Sequence, residues 1–154
     1  MSKVKLLELE KTGKYVFHGT AEDVETFEPR QAYNYFDGIS EKDGDPAVFA
    51  SDHVDYAIFM AIFNKRNCKK SCYTQAGATT SDDQPPVLNF GARKDTIDQL
   101  TNEARGWVYV FDRSSFTPRY NPGVEFVSHI PIRPLQRIQV TKHDLPNNIT
   151  IIDE

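Results

Sequence analysis

Three short stretches carry residue types whose order could do chemistry. The first is "YVFHGT" at 15–20. Aromatic and β-branched residues lead it, as in a half-buried strand, and the strand then runs into His18, Gly19 and Thr20. An imidazole at a strand end can donate to a ligand hydroxyl, and a residue without Cβ lets a ligand approach the backbone. The second is "AVFASD" at 47–52. A strand that breaks into a helix leaves N–H groups without helical partners, which suits a polar or anionic ligand. The third is Glu125 in "VEFVSHI" at 124–130. Alternation places Glu125, Val127 and His129 on one strand face, with Val124, Phe126, Ser128 and Ile130 on the other. Taken singly, the first two stretches are better served by plain architecture: a turn with a half-buried histidine, and a capped strand–helix junction. Glu125 divides evenly between a solvated strand charge and a placed functional group.

The elements that must position these residues are only partly legible. Residues 14–18 and Val48–Ala50 read as strands. Ser51 or Asp52 suits the cap of a helix over His53–Phe63, which is apolar on most sides and therefore expected to be buried. Residues 21–28 suit one or two helical turns before Pro29. Residues 29–46, rich in Tyr, Asn, Asp and Gly, read as a long ordered loop. Residues 64–94 hold "NKRNCKK" and "AGATTSDDQPP" and read as a mobile surface loop. An amphipathic helix is expected over 95–104, and strands over 107–111, 124–130, 135–140 and 148–152. No repeat or domain boundary interrupts 1–154, which reads as a single domain. Late strands without intervening helices indicate an α+β fold with antiparallel sheets.

The chain has 154 residues and a net charge of -4, so it has no global basic field for nucleic acid, although a local patch is compatible with this balance. No apolar run approaches the roughly 20 residues of a membrane span, so no membrane association is expected. The opening "MSKVKLLELEKTG" lacks the apolar core of a signal peptide. Cys68 and Cys72 are the two cysteines. They suit a reducing compartment, and a cytoplasmic location is expected. With no further Cys and distant His residues, their C-x3-C spacing does not lead to an expected metal site.

In combination the three stretches resemble the ADP-ribosyltransferase fold, in the His–Tyr–Glu branch that includes the poly(ADP-ribose) polymerases and diphtheria-toxin-like enzymes. "FHGT" at 17–20 is similar to that family's first strand, "AVFASD" to its second motif with Phe49 in place of tyrosine, and "EFVSHIPI" at 125–132 to its glutamate strand. The resemblance spans roughly Tyr15 to Val140. It implies a split antiparallel β-sandwich with flanking helices and NAD as co-substrate. His18, Gly19, Thr20, Phe49, Ser51 and Tyr56 would bind it. His18 would meet a ribose hydroxyl, and the Gly19 backbone would pair with the nicotinamide carboxamide. Phe49 and Tyr56 are candidates to sandwich the nicotinamide ring, and Tyr33 or Tyr35 to cover the site. His18 and Glu125 would be the catalytic pair, with Glu125 stabilising positive charge on the ribose as nicotinamide leaves. In ungapped register the helix positions that usually hold serine and a second aromatic fall near Ala57 and Met60, while a gap brings in Tyr56 or Phe59.

Three functions follow from the resemblance. One is a mono-ADP-ribosyltransferase of the toxin-like kind, with a macromolecular acceptor, protein or nucleic acid, or, for a glycohydrolase, water. Another is a silent nucleotide- or protein-binding module, which the Phe49 substitution favours. The last is a nucleic-acid-directed transferase or an NAD-dependent RNA 2′-phosphotransferase, for which "NKRNCKK" could steer a phosphate backbone.

Overall fold

The computed structural model describes residues 2–36 and 38–152, without the side chains of Tyr35 and Phe36. The chain runs through α1 (Ser2–Lys11), β1 (Tyr15–Thr20), β2 (Tyr33–Phe36), β3 (Ile39–Lys42), β4 (Val48–Ser51) and α2 (Val54–Ile62). It continues through β5 (Thr74–Ser81), β6 (Gln84–Arg93), α3 (Lys94–Asp98), β7 (Arg105–Asp112), β8 (Thr117–Pro118), β9 (Glu125–Ser128), β10 (Gln136–Thr141) and β11 (Ile149–Ile152). The fold is mixed α+β. Six strands form one antiparallel sheet in the order β10-β7-β1-β4-β9-β8. A second sheet, β11-β6-β5, pairs β5 with β6 antiparallel and β11 with β6 parallel. The strands β2 and β3 form a separate hairpin.

Helix α2 lies against both larger sheets, which is why nearly every side of it is apolar. Val54, Ala57, Ile58, Ala61 and Ile62 join Phe17, Val108, Val110 and Val140 of the six-stranded sheet, together with Leu6 of α1. Phe59 and Phe63 turn the other way, onto Phe90 and Ala92 of β6. Full burial of a side chain such as Ile58 or Phe59 stabilises the fold by about 1.5–3 kcal/mol. The far face of the six-stranded sheet buries Val16, Ala50, Tyr109, Phe111 and Phe126 under the 22–28 segment, through Phe27.

Several expectations change. Residues 21–28 form no helical turn among the described residues. The segment is pinned instead by Tyr109, whose hydroxyl donates to the Glu22 carbonyl and accepts from the Val24 amide, both at 2.8 Å. The 29–46 stretch is an arm that contains β2 and β3. Its base is closed by reciprocal backbone hydrogen bonds between Arg30 and Ala47. Most of the expected 64–94 loop is the β5–β6 hairpin. Small polar residues hide its alternation, and the irregular register between Thr79 and Ser81 lies across from Pro85 and Pro86, which supply no N–H to a ladder. The helix expected over 95–104 stops at Asp98. Gln99 uses its side chain instead to receive the Lys70 amide and to donate to the Ser71 carbonyl. No helix is long and apolar enough to cross a membrane among the described residues.

Candidate functional site

The strand β4 meets β1 at Phe17↔Ser51, whereas β7 accompanies β1 to Thr20. The end of β1 therefore has a strand on one side and a cavity of about 580 Å³ on the other. All seven site residues expected from the sequence line this cavity: His18, Gly19, Thr20, Phe49, Ser51, Tyr56 and Glu125. They come from β1, β4, α2 and β9, and the register brings the ends together, with Ser51 opposite Glu125 as well as Phe17. Its size lies within the range of small-molecule sites. Ala57 and Met60 also line the wall. Phe59 is fully buried in the core, so Tyr56 is the helix aromatic that reaches the cavity.

His18 is oriented by its neighbour strand. Its Nδ1 lies 2.6 Å from the Phe49 carbonyl oxygen. A carbonyl only accepts, so Nδ1 carries the proton and Nε2 keeps a lone pair in the neutral ring. Burial holds the His18 pKa below its usual value, and Arg30 adds to this, against the opposing effect of the Phe49 hydrogen bond. The sequence suggested a donor to a ligand hydroxyl. The donor is already engaged, and the neutral ring has an acceptor left.

Gly19 is also explained differently. A Cβ placed there would sit 1.8 Å from the Ala57 carbonyl oxygen and 2.7 Å from the Ala61 amide nitrogen. The missing side chain makes room for α2. Gly106 on β7 plays the same part, where a Cβ would lie 2.0 Å from the Ala61 carbonyl oxygen. The backbone of Gly19 still borders the cavity.

The N-terminus of α2 is likewise occupied. Glu10 of α1 accepts from the Val54 amide through Oε1 at 2.7 Å, and the Ser51 hydroxyl accepts from the His53 amide at 3.1 Å. His53, at the cap position itself, makes no side-chain cap. Asp52 bonds the His53 ring at 2.7 Å and raises its pKa. This helix end is thus the capped junction that plain architecture favoured, with the Glu10 carboxylate as one acceptor and Ser51 as the other.

Glu125 sits in a chain of polar groups. Its Oε1 accepts from the Tyr56 hydroxyl at 3.3 Å and its Oε2 from Arg119 Nη1 at 3.0 Å. Arg119 Nη2 forms an ion pair with Asp43 of the arm. Burial, and then the neighbouring Glu125 charge, push the Tyr56 pKa up to about 12, so the phenol stays protonated and donates. The hydrogen bond to Asp43 raises the Arg119 pKa further, so the guanidinium stays charged. Arg119 and Asp43 both line the cavity and were missed in the sequence. Arg119 had a signal: the turn-forming Asn121-Pro122-Gly123 lies between it and Glu125, which puts the two opposite each other in a hairpin. Asp43 had none, because only the folded arm brings it near.

The rim is basic on one side. Lys65 and Arg66 line the cavity, with Arg66 Nη1 donating to the Ala21 carbonyl at 3.1 Å. A second cavity of about 260 Å³ adjoins the first and shares His18, Thr20, Glu22, Ala32 and Phe49 with it. Arg30 lines this lobe. Among the described residues neither Lys65 nor Arg30 makes an ion pair. Tyr33 is half-exposed and lines neither cavity, so it does not cover the site here; the Tyr35 side chain lies outside the described residues. Among the described residues no group of three or more His, Cys, Asp and Glu could hold a metal ion. Comparison of the chain with protein-family models, with curated proteins and with solved structures finds no match.

Proposed function

We propose that this chain is an NAD-consuming mono-ADP-ribosyltransferase built on an ADP-ribosyltransferase-like split sandwich. The observation that carries the reading is that four separate elements deliver all seven expected residues to one cavity, with a carboxylate in its wall. The nicotinamide ring would lie against Phe49 or Tyr56, where stacking contributes about 0.5–1.5 kcal/mol beyond area burial. Neutral His18 would accept from a ribose hydroxyl through Nε2. Glu125 would accept from the hydroxyl nearest the reacting carbon. As the bond to nicotinamide breaks, nicotinamide leaves with the bonding pair and the ribose becomes positive. The fixed carboxylate stabilises that charge in a partly desolvated site. The acceptor then forms the new bond and loses its proton to Glu125 or to water. The test is incubation with NAD and mixed acceptors, reading nicotinamide release. Release that Glu125→Gln abolishes supports the proposal, and no release with protein, RNA or DNA present removes it.

Lys65 and Arg66 on the rim favour a more specific acceptor, a nucleic acid or an RNA 2′-phosphate. Labelling of tRNA and single-stranded DNA in preference to protein would support this, with loss of labelling in Lys65→Ala. The engagement of both Glu125 oxygens favours a different reading, a binding module that holds NAD without turnover. Calorimetry that detects NAD binding, with no nicotinamide released, would support it. A site of action inside a cell, in the cytoplasm, belongs to the same proposal.

A further inference from the structure

The Arg119 guanidinium is held from several directions at once. Its backbone amide donates to the Glu125 carbonyl at 2.9 Å, which sets the two residues side by side across the β8–β9 hairpin. Nη1 donates to Glu125 Oε2 at 3.0 Å, and Nη2 pairs with Asp43. The guanidinium lies 5.2 Å from the Phe49 ring centre and 5.0 Å from that of Tyr120, within the range of cation–π attraction. Its side chain is 17% exposed, so solvent screens these charges weakly. Glu125 has four lone-pair positions, and Arg119 holds Oε2. Each oxygen accepts one hydrogen bond among the described residues, and Oε1 is the more loosely held, because its bond from Tyr56 is the longer at 3.3 Å.

The same guanidinium reaches the arm. The 30–47 arm is joined at its base by the Arg30–Ala47 backbone pair, and Asp43 N donates to the Ala32 carbonyl across it. Ala32 and Asp43 form the arm's share of the cavity wall. His129 contacts the Pro46 carbonyl nearer the base, at 3.0 Å. Asp43 pairs with Arg119, which in turn pairs with Glu125 at the start of the glutamate strand.

We propose that Arg119 is a positioning residue, which holds the Glu125 carboxylate with Oε1 toward the cavity and couples that orientation to the seating of the arm. Its role in turnover rests on the transferase reading above. The coupling itself does not, because it is a property of the chain Asp43–Arg119–Glu125. A lysine preserves the charge but cannot bridge two carboxylates with one planar fork.

The experiment compares wild type with R119Q, R119K, D43N and E125Q. Hydrogen exchange of the arm amides and nicotinamide release from NAD are read together, and thermal unfolding identifies the folded fraction. R119Q speeds arm exchange and lowers kcat per folded molecule about 100-fold, the order expected of a misplaced catalytic group. R119K recovers part of kcat. D43N, which keeps the Arg119–Glu125 pair, raises KM more than it lowers kcat. Among the described residues the side-chain partners of Glu125 are Tyr56 and Arg119, so E125Q reaches the arm through Arg119 and also speeds arm exchange. Wild-type arm exchange in both R119Q and E125Q overturns the coupling, whether or not the wild type turns NAD over. An R119Q that melts earlier but keeps wild-type kcat when folded overturns the positioning role. A wild type that releases no nicotinamide, with faster arm exchange in R119Q and E125Q, removes the transferase reading and leaves the coupling standing.

Discussion

Replacing Gly19 by alanine separates two reasons for a glycine at the cavity edge. The added Cβ meets the Ala57 carbonyl oxygen at 1.8 Å, its carbonyl carbon at 2.8 Å and the Ala61 amide at 2.7 Å. All are backbone atoms of α2, so no side chain can swing aside. To restore ordinary contact the helix must retreat by roughly 1–2 Å. That retreat opens gaps along the face where Ala57, Ile58, Ala61 and Ile62 pack on the sheet. Overpacking typically costs about 1–3 kcal/mol, and a rigid backbone neighbour puts this case at about 3 kcal/mol or above. In a chain of this size each kcal/mol lowers the thermal midpoint by about 2–4 °C, so a fall of about 6–12 °C is expected. The assay is thermal unfolding followed by circular dichroism, with NAD calorimetry well below the midpoint. Gly77→Ala is the control, since nothing lies within 4 Å of a Cβ there. Ala57→Gly does not rescue, because the clashing oxygen remains. If Gly19→Ala melts like the wild type and only NAD affinity falls, the reasoning fails and ligand clearance explains the glycine.

Glu125→Gln keeps the shape of the side chain but loses its charge, and nicotinamide release is expected to fall about 100- to 1000-fold, as when one fixed electrostatic group is lost; release within a few-fold of wild type would remove Glu125 from the chemistry. Tyr109→Phe leaves the Val24 amide and the Glu22 carbonyl without their partner, which costs about 1–3 kcal/mol in urea unfolding. Glu10→Ala strips the Val54 amide of its acceptor at the start of α2, and a loss of about 0.5–2 kcal/mol is expected in the same measurement. His18 titrates below its usual 6.5 in the fold because it is buried. As pH falls through 6.5 the unfolded chain takes up a proton that the folded chain refuses, so stability drops from there toward the folded pKa. His53 has a raised pKa through Asp52 and works in the opposite sense: its contribution is present in acid and lost as pH rises through the folded value. His18→Asn keeps a donor for the Phe49 carbonyl and is expected to flatten the fall in thermal midpoint below pH 6.5. An unchanged acid slope would show that His18 does not cause it.

Local pattern alone determined much of the frame. Alternation marked β1, β7, β9, β10 and β11, and an apolar run with few charges marked α2. These signals are short-range, since a strand or helix needs its own residues to present a matching face. The residue types of the cavity wall were legible for the same reason: His18, Ser51 and Glu125 stand at strand ends or edges that alternation locates. Tertiary contact decided the roles. Gly19 reads as clearance for a ligand until α2 is laid across β1 and the Ala57 carbonyl occupies the space. His18 reads as a donor until β4 brings the Phe49 carbonyl to its Nδ1. The start of α2 reads as a junction capped by Ser51 or Asp52, and the fold adds Glu10, 44 residues away, as the acceptor for the Val54 amide. The β5–β6 hairpin stayed hidden because Ala, Gly and Thr carry little hydrophobic alternation, and its strands are stabilised by pairing with each other and with β11. Asp43 joined the site only through Arg119, 76 residues away. A hydrogen bond or a steric exclusion belongs to two segments at once. The sequence around one of them names the group that takes part, and only the fold names what it meets.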